Sequence, residues 1–257
     1  MPILELDNVT KSFGGIEAVK NVSFSIDKDE IIGLIGPNGA GKTTIFNLIT
    51  GVYKVTEGKI KFQGNDITGK DPVSIVKSGI SRTFQNIRLF NKLSVIENIR
   101  TVLYREANYN LGDALIRTPK VTRIEKMLYE KSLEYLEVVG LTDYARNRAD
   151  SLPYGLQRKL EIARALALDP KLLLLDEPAA GMNPDECIDL VELIVKIKKA
   201  YNLTIMLIEH HMDVVMELCP RIIVIDFGRK LMEGSKDEVQ NDPRVLKAYL
   251  GEEYMDA

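Results

Sequence analysis

The tightest constraint on this chain is an apolar run, Ile31-Ile32-Gly33-Leu34-Ile35, followed at once by Gly36-Pro37-Asn38-Gly39-Ala40-Gly41-Lys42-Thr43. The run has the length of a strand, and the segment after it matches G-x-x-x-x-G-K-[ST]. Glycines in such a loop let the backbone curl until consecutive N–H groups point at phosphate oxygens, and the N-terminus of the helix that follows adds to that field. The expected nucleotide contacts run from Gly36, Pro37, Asn38, Gly39, Ala40 and Gly41 through Lys42, Thr43 and Thr44. Lys42 is expected to neutralise β- and γ-phosphates, and the Thr43 hydroxyl to ligate Mg2+. A chance glycine-rich turn lacks the strand before it and the helix after it. Both are present here.

A second apolar run, Leu172-Leu173-Leu174-Leu175, ends in Asp176-Glu177. A buried strand delivers ligands at its C-terminal end, which is where open α/β sheets gather them. Asp176 is expected to reach Mg2+, and Glu177 beside it to orient or deprotonate an attacking water. Phosphoryl transfer asks for positioning and charge stabilisation more than for covalent chemistry, and these groups supply both.

The rest of the chain organises around these two segments. Ile3–Leu6 and Val19–Ile26, separated by Gly14-Gly15, read as antiparallel strands, and Lys59–Phe62 as another strand ahead of a Gly64-Asn65 turn. Lys42–Thr50 reads as a helix that Gly51 ends in a left-handed cap. From about Asn86 to Asp150 the pattern turns helical. Ser94-Val95-Ile96-Glu97 is a capping box, Asn108–Gly112 reads as a loop, and Ile124, Met127, Leu128, Tyr135, Leu136 and Val139 mark an amphipathic helix ended by Gly140. Leu156, Leu160, Ala163 and Ala167 form an apolar stripe opposite Arg158, Lys159 and Arg164. Strands Lys171–Leu175, Thr204–Ile208 and Arg221–Ile225 then alternate with helices Pro184–Ala200 and Met212–Leu218. Asp242-Pro243 opens a short terminal helix. The predicted fold is α/β: a nucleotide-binding core with a mainly parallel sheet covered by helices on both faces, an antiparallel β subdomain and an α-helical subdomain. The core takes residues 1–85 and 156–257, and the helical insert takes 86–155.

Composition narrows the class further. With 257 residues, 45% hydrophobic and 28% charged, the chain has material for a sizeable core. A net charge of −3 gives no basic stripe, so no nucleic-acid partner is expected. No apolar run approaches the roughly 18 residues that span a bilayer, and Met1-Pro2-Ile3-Leu4-Glu5 has no secretory signal pattern. Cys187 and Cys219 form no metal-type pair and read as reduced packing residues.

Four further landmarks, collinear with the phosphate loop, give the sequence a resemblance to the ABC ATPase family along essentially its whole length. Phe13, in Thr10-Lys11-Ser12-Phe13-Gly14, resembles the family's adenine-stacking aromatic. Gln85, in Arg82-Thr83-Phe84-Gln85, resembles the glutamine that reaches Mg2+ and water. Leu152-Pro153-Tyr154-Gly155-Leu156-Gln157 stands in the place of the signature, usually Leu-Ser-Gly-Gly-Gln. His210, in Ile208-Glu209-His210, resembles the histidine that senses the γ-phosphate. In the signature, Pro153 replaces serine, Tyr154 the first glycine and Leu156 the glutamine. Pro153 fits a helix start but cannot donate a hydroxyl or amide hydrogen bond to phosphate. Asn183 falls where the family's dimer-contact loop carries aspartate, and Asn183-Pro184-Asp185-Glu186 is also a ready helix N-terminus.

The resemblance implies an ATPase, with Glu177, His210 and Gln85 catalytic and Thr43, Gln85 and Asp176 on the metal. The signature residues Leu152, Pro153, Tyr154 and Gly155 would contact ATP held by a second ATPase subunit, in a homo- or heterodimer. It further implies integral membrane permease subunits, an indirect substrate-binding protein, and a place on the cytoplasmic face of the membrane. The signature variant, Leu160–Leu166, the Asp176–Pro184 block and the ending Val245–Gly251 resemble ATP-binding subunits of branched-chain amino acid importers. Alternatives are the ATPase of a lipopolysaccharide-export complex, which has a similar tail, and a soluble ABC ATPase of translation or DNA repair. The latter usually carries two nucleotide domains or a long coiled-coil insert.

Overall fold

The structure is a computed structural model and describes residues 2–109 and 111–250. In chain order its elements are β1 (Leu4–Phe13), β2 (Ile16–Ile26), β3 (Ile31–Ile35), α1 (Lys42–Ile49), β4 (Glu57–Phe62), β5 (Asn65–Asp66), α2 (Pro72–Ser78) and β6 (Ile80–Arg82). Helices α3 (Val95–Leu103), α4 (Leu111–Leu115), α5 (Pro119–Val138) and α6 (Tyr154–Leu166) follow. Then come β7 (Leu172–Asp176), α7 (Pro184–Tyr201), β8 (Thr204–Ile208), α8 (Met212–Leu218), β9 (Arg221–Asp226), β10 (Arg229–Ser235), α9 (Lys236–Asn241) and α10 (Pro243–Leu250).

The chain divides into two compact units, Met1–Gln85 with Lys171–Ala257, and Asn86–Pro170. The first holds two sheets. One is antiparallel in the order β2-β1-β4-β5, and the other runs β10-β9-β3-β8-β7-β6, parallel except for β10 on β9. Strands β3, β7 and β8 are buried at every residue. That explains why they read as continuous apolar runs: a central parallel strand has no solvent face and needs no alternation. Strands β1 and β2 keep one face toward the core, where Leu4, Leu6, Val9, Val22, Phe24 and Ile26 are buried. The alternating pattern follows from that.

Elements with local signals fall where they are expected. Gly51 (φ 71°) and Gly140 (φ 73°) take left-handed conformations just past their helices, and the Ser94–Glu97 capping box forms at the start of α3. Strand β10 and helices α2 and α9 lacked a strong periodic signal because each is short and largely exposed. The expected Asn108–Gly112 loop is overtaken by α4, which begins at Leu111; Asn110 lies outside the described residues, as does Gly251 of the predicted ending.

Two expectations change in the second unit. Helix α6 belongs to this unit, which extends to Pro170 instead of ending at 155. Its residues Leu160, Ile162, Ala163 and Leu166 are buried, and the helix packs with α3 and α5. Arg158 does not sit on a solvated face. It is fully buried, with Nη1 donating to Glu161 Oε2 at 2.7 Å and Nη2 to Tyr154 Oη at 3.1 Å. A helical wheel assigns charged residues to water, but a buried arginine paired one turn away follows from tertiary enclosure that the wheel does not contain.

Candidate nucleotide-hydrolysis site

The phosphate loop leaves the end of β3 and closes onto α1. Gly36 and Gly41 adopt φ of 150° and 107°, and a Cβ there would stand 2.0 Å from the Ile225 carbonyl oxygen and 2.6 Å from that of Ala18. Glycine is therefore obligatory at both ends of the loop, for conformation and for space. Gly41 caps α1 without a side-chain acceptor, so first-turn N–H groups are left to an outside anion. Lys42 opens the helix, and its Nζ donates to the carbonyls of Gly36 (2.6 Å) and Pro37 (2.9 Å). Burial lowers the Lys42 pKa below the usual lysine value, while the nearby Glu177 and Asp176 carboxylates oppose that shift. Thr43 is exposed and Thr44 half-buried.

Sheet register sets the rest of the site. Leu172–Asp176 of β7 pair in parallel with Thr204–Ile208 of β8, so Asp176 stands opposite Ile208 and both strands exit at one level. Glu177 then turns with φ 48° and donates its N–H to the Ile208 carbonyl at 2.8 Å. Its carboxylate lies between two side chains: Gln85 Nε2 donates to Oε2 at 2.7 Å, and His210 Nε2 lies 2.9 Å from Oε1. The three residues expected to act together from widely spaced positions are thus in direct contact. His210 does not cap α8. That place is taken by His211, without a side-chain capping bond.

Asp176 is almost fully buried and receives Arg82 Nη2 on Oδ2 at 2.6 Å. The same guanidinium donates to Asn47 Oδ1 of α1 at 2.7 Å and lies over the rings of Phe46 and Phe84. Arg82 therefore ties the carboxylate of β7 to the helix behind the phosphate loop. In the sequence Arg82 stands out only by its nearness to Gln85, in Arg82-Thr83-Phe84-Gln85. An arginine that close to a motif glutamine was the available signal, but its partner lies on another strand.

Phe13 ends β1 with 43% of its surface exposed, so it does not fill the core. Its ring meets Tyr53 edge-on at 5.1 Å, and Lys11 Nζ lies 4.8 Å from its centroid. Tyr53 was not anticipated, since nothing local links it to Phe13. In the helical unit Pro153 takes the N-cap position of α6, one residue before the first helical residue, Tyr154. Leu152 and Gly155 are buried while Pro153 and Tyr154 are exposed. Asn183 caps α7 in a full capping box with Glu186.

A parallel sheet whose strand ends carry a phosphate-cradling loop, a buried aspartate and a glutamate held by glutamine and histidine defines a P-loop nucleotide hydrolase. The ABC transporter family profile matches residues 19–180, and a branched-chain amino acid ATP-binding cassette transporter profile matches residues 229–254. The chain is 44% identical over 251 residues to BraF, a high-affinity branched-chain amino acid transport ATP-binding protein of Pseudomonas aeruginosa, covering 98% of both chains. Among solved structures it resembles the ADP conformation of an ATP-binding cassette of an ABC transporter (TM-score 0.84, 33% identity, 98% of this chain and 100% of that one). It also resembles a dimeric post-hydrolysis cassette bound to ADP and Pi (TM-score 0.76, 26% identity, 90% and 98%). The chain belongs to the ABC transporter family as an ATP-binding, ATP-hydrolysing subunit. Among the described residues, no helix is long and apolar enough to cross a membrane.

Proposed function

We propose that this chain drives the import of branched-chain amino acids through integral membrane permease subunits. It would act in a pair of ATPase subunits closed around two Mg-ATP at the cytoplasmic face of the membrane, fed by a substrate-binding protein. The observation that carries the cargo assignment is the match of residues 229–254 to the branched-chain cassette profile, alongside likeness to BraF over 98% of both chains. The core domains of ABC cassettes hydrolyse ATP whatever is transported. Likeness that extends through the terminal strand and helices is more discriminating.

In this reading the backbone N–H groups of Gly36–Thr44, Pro37 excepted, and the Lys42 ammonium hold the phosphates, and Phe13 stacks on the base. Thr43, Gln85 and Asp176 would hold Mg2+. Their hydroxyl, amide and carboxylate oxygens are the hard donors this ion takes, commonly with few carboxylates. When bound, Mg2+ would supply positive charge that offsets the charge developing on the phosphate oxygens. Glu177 orients the attacking water and accepts its proton. The contacts that Gln85 and His210 make with both carboxylate oxygens support that role, because they fix where the base points. Leu152–Gly155 at the start of α6 would face ATP on the second subunit. There the helix N-terminus and the Gly155 backbone act without the serine hydroxyl that Pro153 replaces.

Uptake decides the cargo. Proteoliposomes holding this chain with permease subunits of a branched-chain amino acid importer should hydrolyse ATP faster when a leucine-loaded binding protein is added outside. Stimulation by lipopolysaccharide and not by any branched-chain amino acid would move the chain to the export alternative.

A further inference from the structure

Between the turn that carries Glu177 and the turn that carries His210 lies a carboxylate with no assigned role. Glu209 is 1% exposed. Its Oε1 accepts the Ala179 N–H at 2.6 Å, and its Oε2 accepts the N–H groups of His210 (2.8 Å) and His211 (3.1 Å). His211 Nδ1 lies 3.3 Å from Oε2 as well. One buried side chain therefore gathers backbone donors from two separate loops, the exit of β7 and the exit of β8. Charge-assisted bonds to backbone N–H groups are short and strong, and a buried carboxylate with such partners has little freedom to move.

Those loops hold the two groups whose separation matters to hydrolysis. Ala179 lies two residues beyond Glu177, and His210 is the residue after Glu209. The parallel ladder fixes β7 against β8 only as far as Asp176 opposite Ile208, and the Glu177 N–H adds one bond to Ile208 beyond it. Past that point Glu209 adds a cross-link through backbone amides of both loops. A one-ångström drift of either loop would lengthen the 2.9 Å contact between His210 Nε2 and Glu177 Oε1 beyond hydrogen-bonding reach.

We infer that Glu209 is a positioning residue for ATP hydrolysis, setting the placement of His210 against Glu177 by clamping the Ala179, His210 and His211 amides together. Its carboxylate oxygens are taken up by the Ala179, His210 and His211 amides, and it acts through His210. The inference rests on the hydrolytic reading of Glu177 and His210.

Glu209→Gln is the test, because glutamine keeps the length but offers one acceptor oxygen and one NH2 group to donors that need acceptors on both sides. One amide, at Ala179 or at His210 and His211, then faces another donor. The purified full-length chain with Mg-ATP should lose about 10- to 100-fold in kcat, the range seen when supporting hydrogen bonds behind a reacting group are removed. Its KM, and its Kd for a fluorescent ATP analogue, should stay within about twofold, since Lys42 and the phosphate loop are untouched. The decisive arm is Glu209→Gln on a His210→Ala background. A residue acting through His210 adds no further loss there, whereas a general structural role multiplies the two losses.

Calorimetric Tm values for all four proteins keep folding apart from function, and assays run well below the lowest of them. Should Glu209→Gln not fold, Glu209→Asp takes its place. It keeps the charge but draws the carboxylate back by one methylene, and the same kcat loss, unchanged KM and non-additivity are expected. Wild-type kcat in the tested variant, or a multiplied loss in the double variant, would overturn the inference. Wild-type kcat in His210→Ala alone would instead overturn the reading of the site itself.

Discussion

Glu177 Oε1 and His210 Nε2 lie 2.9 Å apart, although the two residues come from the ends of different strands and the histidine follows a buried glutamate. Their contact leaves the second oxygen of Glu177 to Gln85. A carboxylate held at both oxygens has its direction fixed before any water arrives. That is the condition under which a general base contributes most.

Replacing Glu177 by glutamine keeps the side chain's length and one acceptor oxygen, presents an NH2 group that a neutral His210 ring nitrogen can accept, and removes the carboxylate proposed to take up the proton. ATP should still bind, and uncleaved nucleotide should hold two subunits together. Gel filtration of the variant is expected to show monomer without nucleotide, dimer with ATP and monomer with ADP, while the wild type reopens after turnover. Normal hydrolysis by the variant removes Glu177 from the base role. A variant that binds ATP yet stays monomeric at high protein concentration and low salt would place assembly under the control of the permease.

Lys42→Ala should lower the hydrolysis rate at least about a hundredfold, the scale for deleting one charged stabiliser of a developing anion. Nucleotide affinity should fall with it, because the ammonium now bonded to the Gly36 and Pro37 carbonyls is the fixed positive charge of the loop. A filter-binding assay beside the ATPase assay reads both quantities. Near-normal turnover contradicts the phosphate-site assignment.

Phe13→Ala acts on binding. Its ring is exposed and propped by Tyr53, and stacking of a base on an aromatic is worth ~1–3 kcal/mol. The Kd for ATP should rise about tenfold with kcat at saturation almost unchanged, since the stack is equal in ground and transition states. A large loss of rate at saturating ATP would mark Phe13 as structural.

Pro153→Ser restores a hydroxyl at the N-cap of α6, where the native residue makes no side-chain bond. On the Glu177→Gln background the ATP dimer should tighten by about 1.5–3 kcal/mol at most, the worth of one hydrogen bond to a charged group. Sedimentation equilibrium measures it. Unchanged or weaker pairing would mean that Tyr154 and Arg158 have rebuilt the signature around proline.

Arg158→Ala takes from the buried Glu161 carboxylate its charged donor at 2.7 Å. Breaking one side of a buried pair costs about 3–5 kcal/mol, so urea unfolding should shift accordingly. Arg158→Met with Glu161→Leu should recover most of the loss. An Arg158→Ala variant as stable as wild type would show that the pair carries no folding energy.

The sequence alone determined whatever depends on neighbours along the chain. The apolar run into Gly36–Thr43 predicts strand, loop and helix because the phosphate-binding conformation is made of consecutive residues. The same holds for the capping boxes at Ser94 and Asn183 and for the left-handed turns at Gly51 and Gly140. Of the candidate groups, Glu177 was legible at the end of its own apolar run, whereas Gln85 and His210 stood out only through the family resemblance, in line with the phosphate loop. Tertiary structure decided what those groups touch. Arg82 on Asp176, Glu209 under Ala179 and His210, and Tyr53 against Phe13 all depend on strand order and register, which periodicity does not carry. It also decided that Arg158 is buried, because a helix pattern records only polarity, and a charged residue goes inside when a partner and an enclosing surface are supplied from elsewhere in the fold.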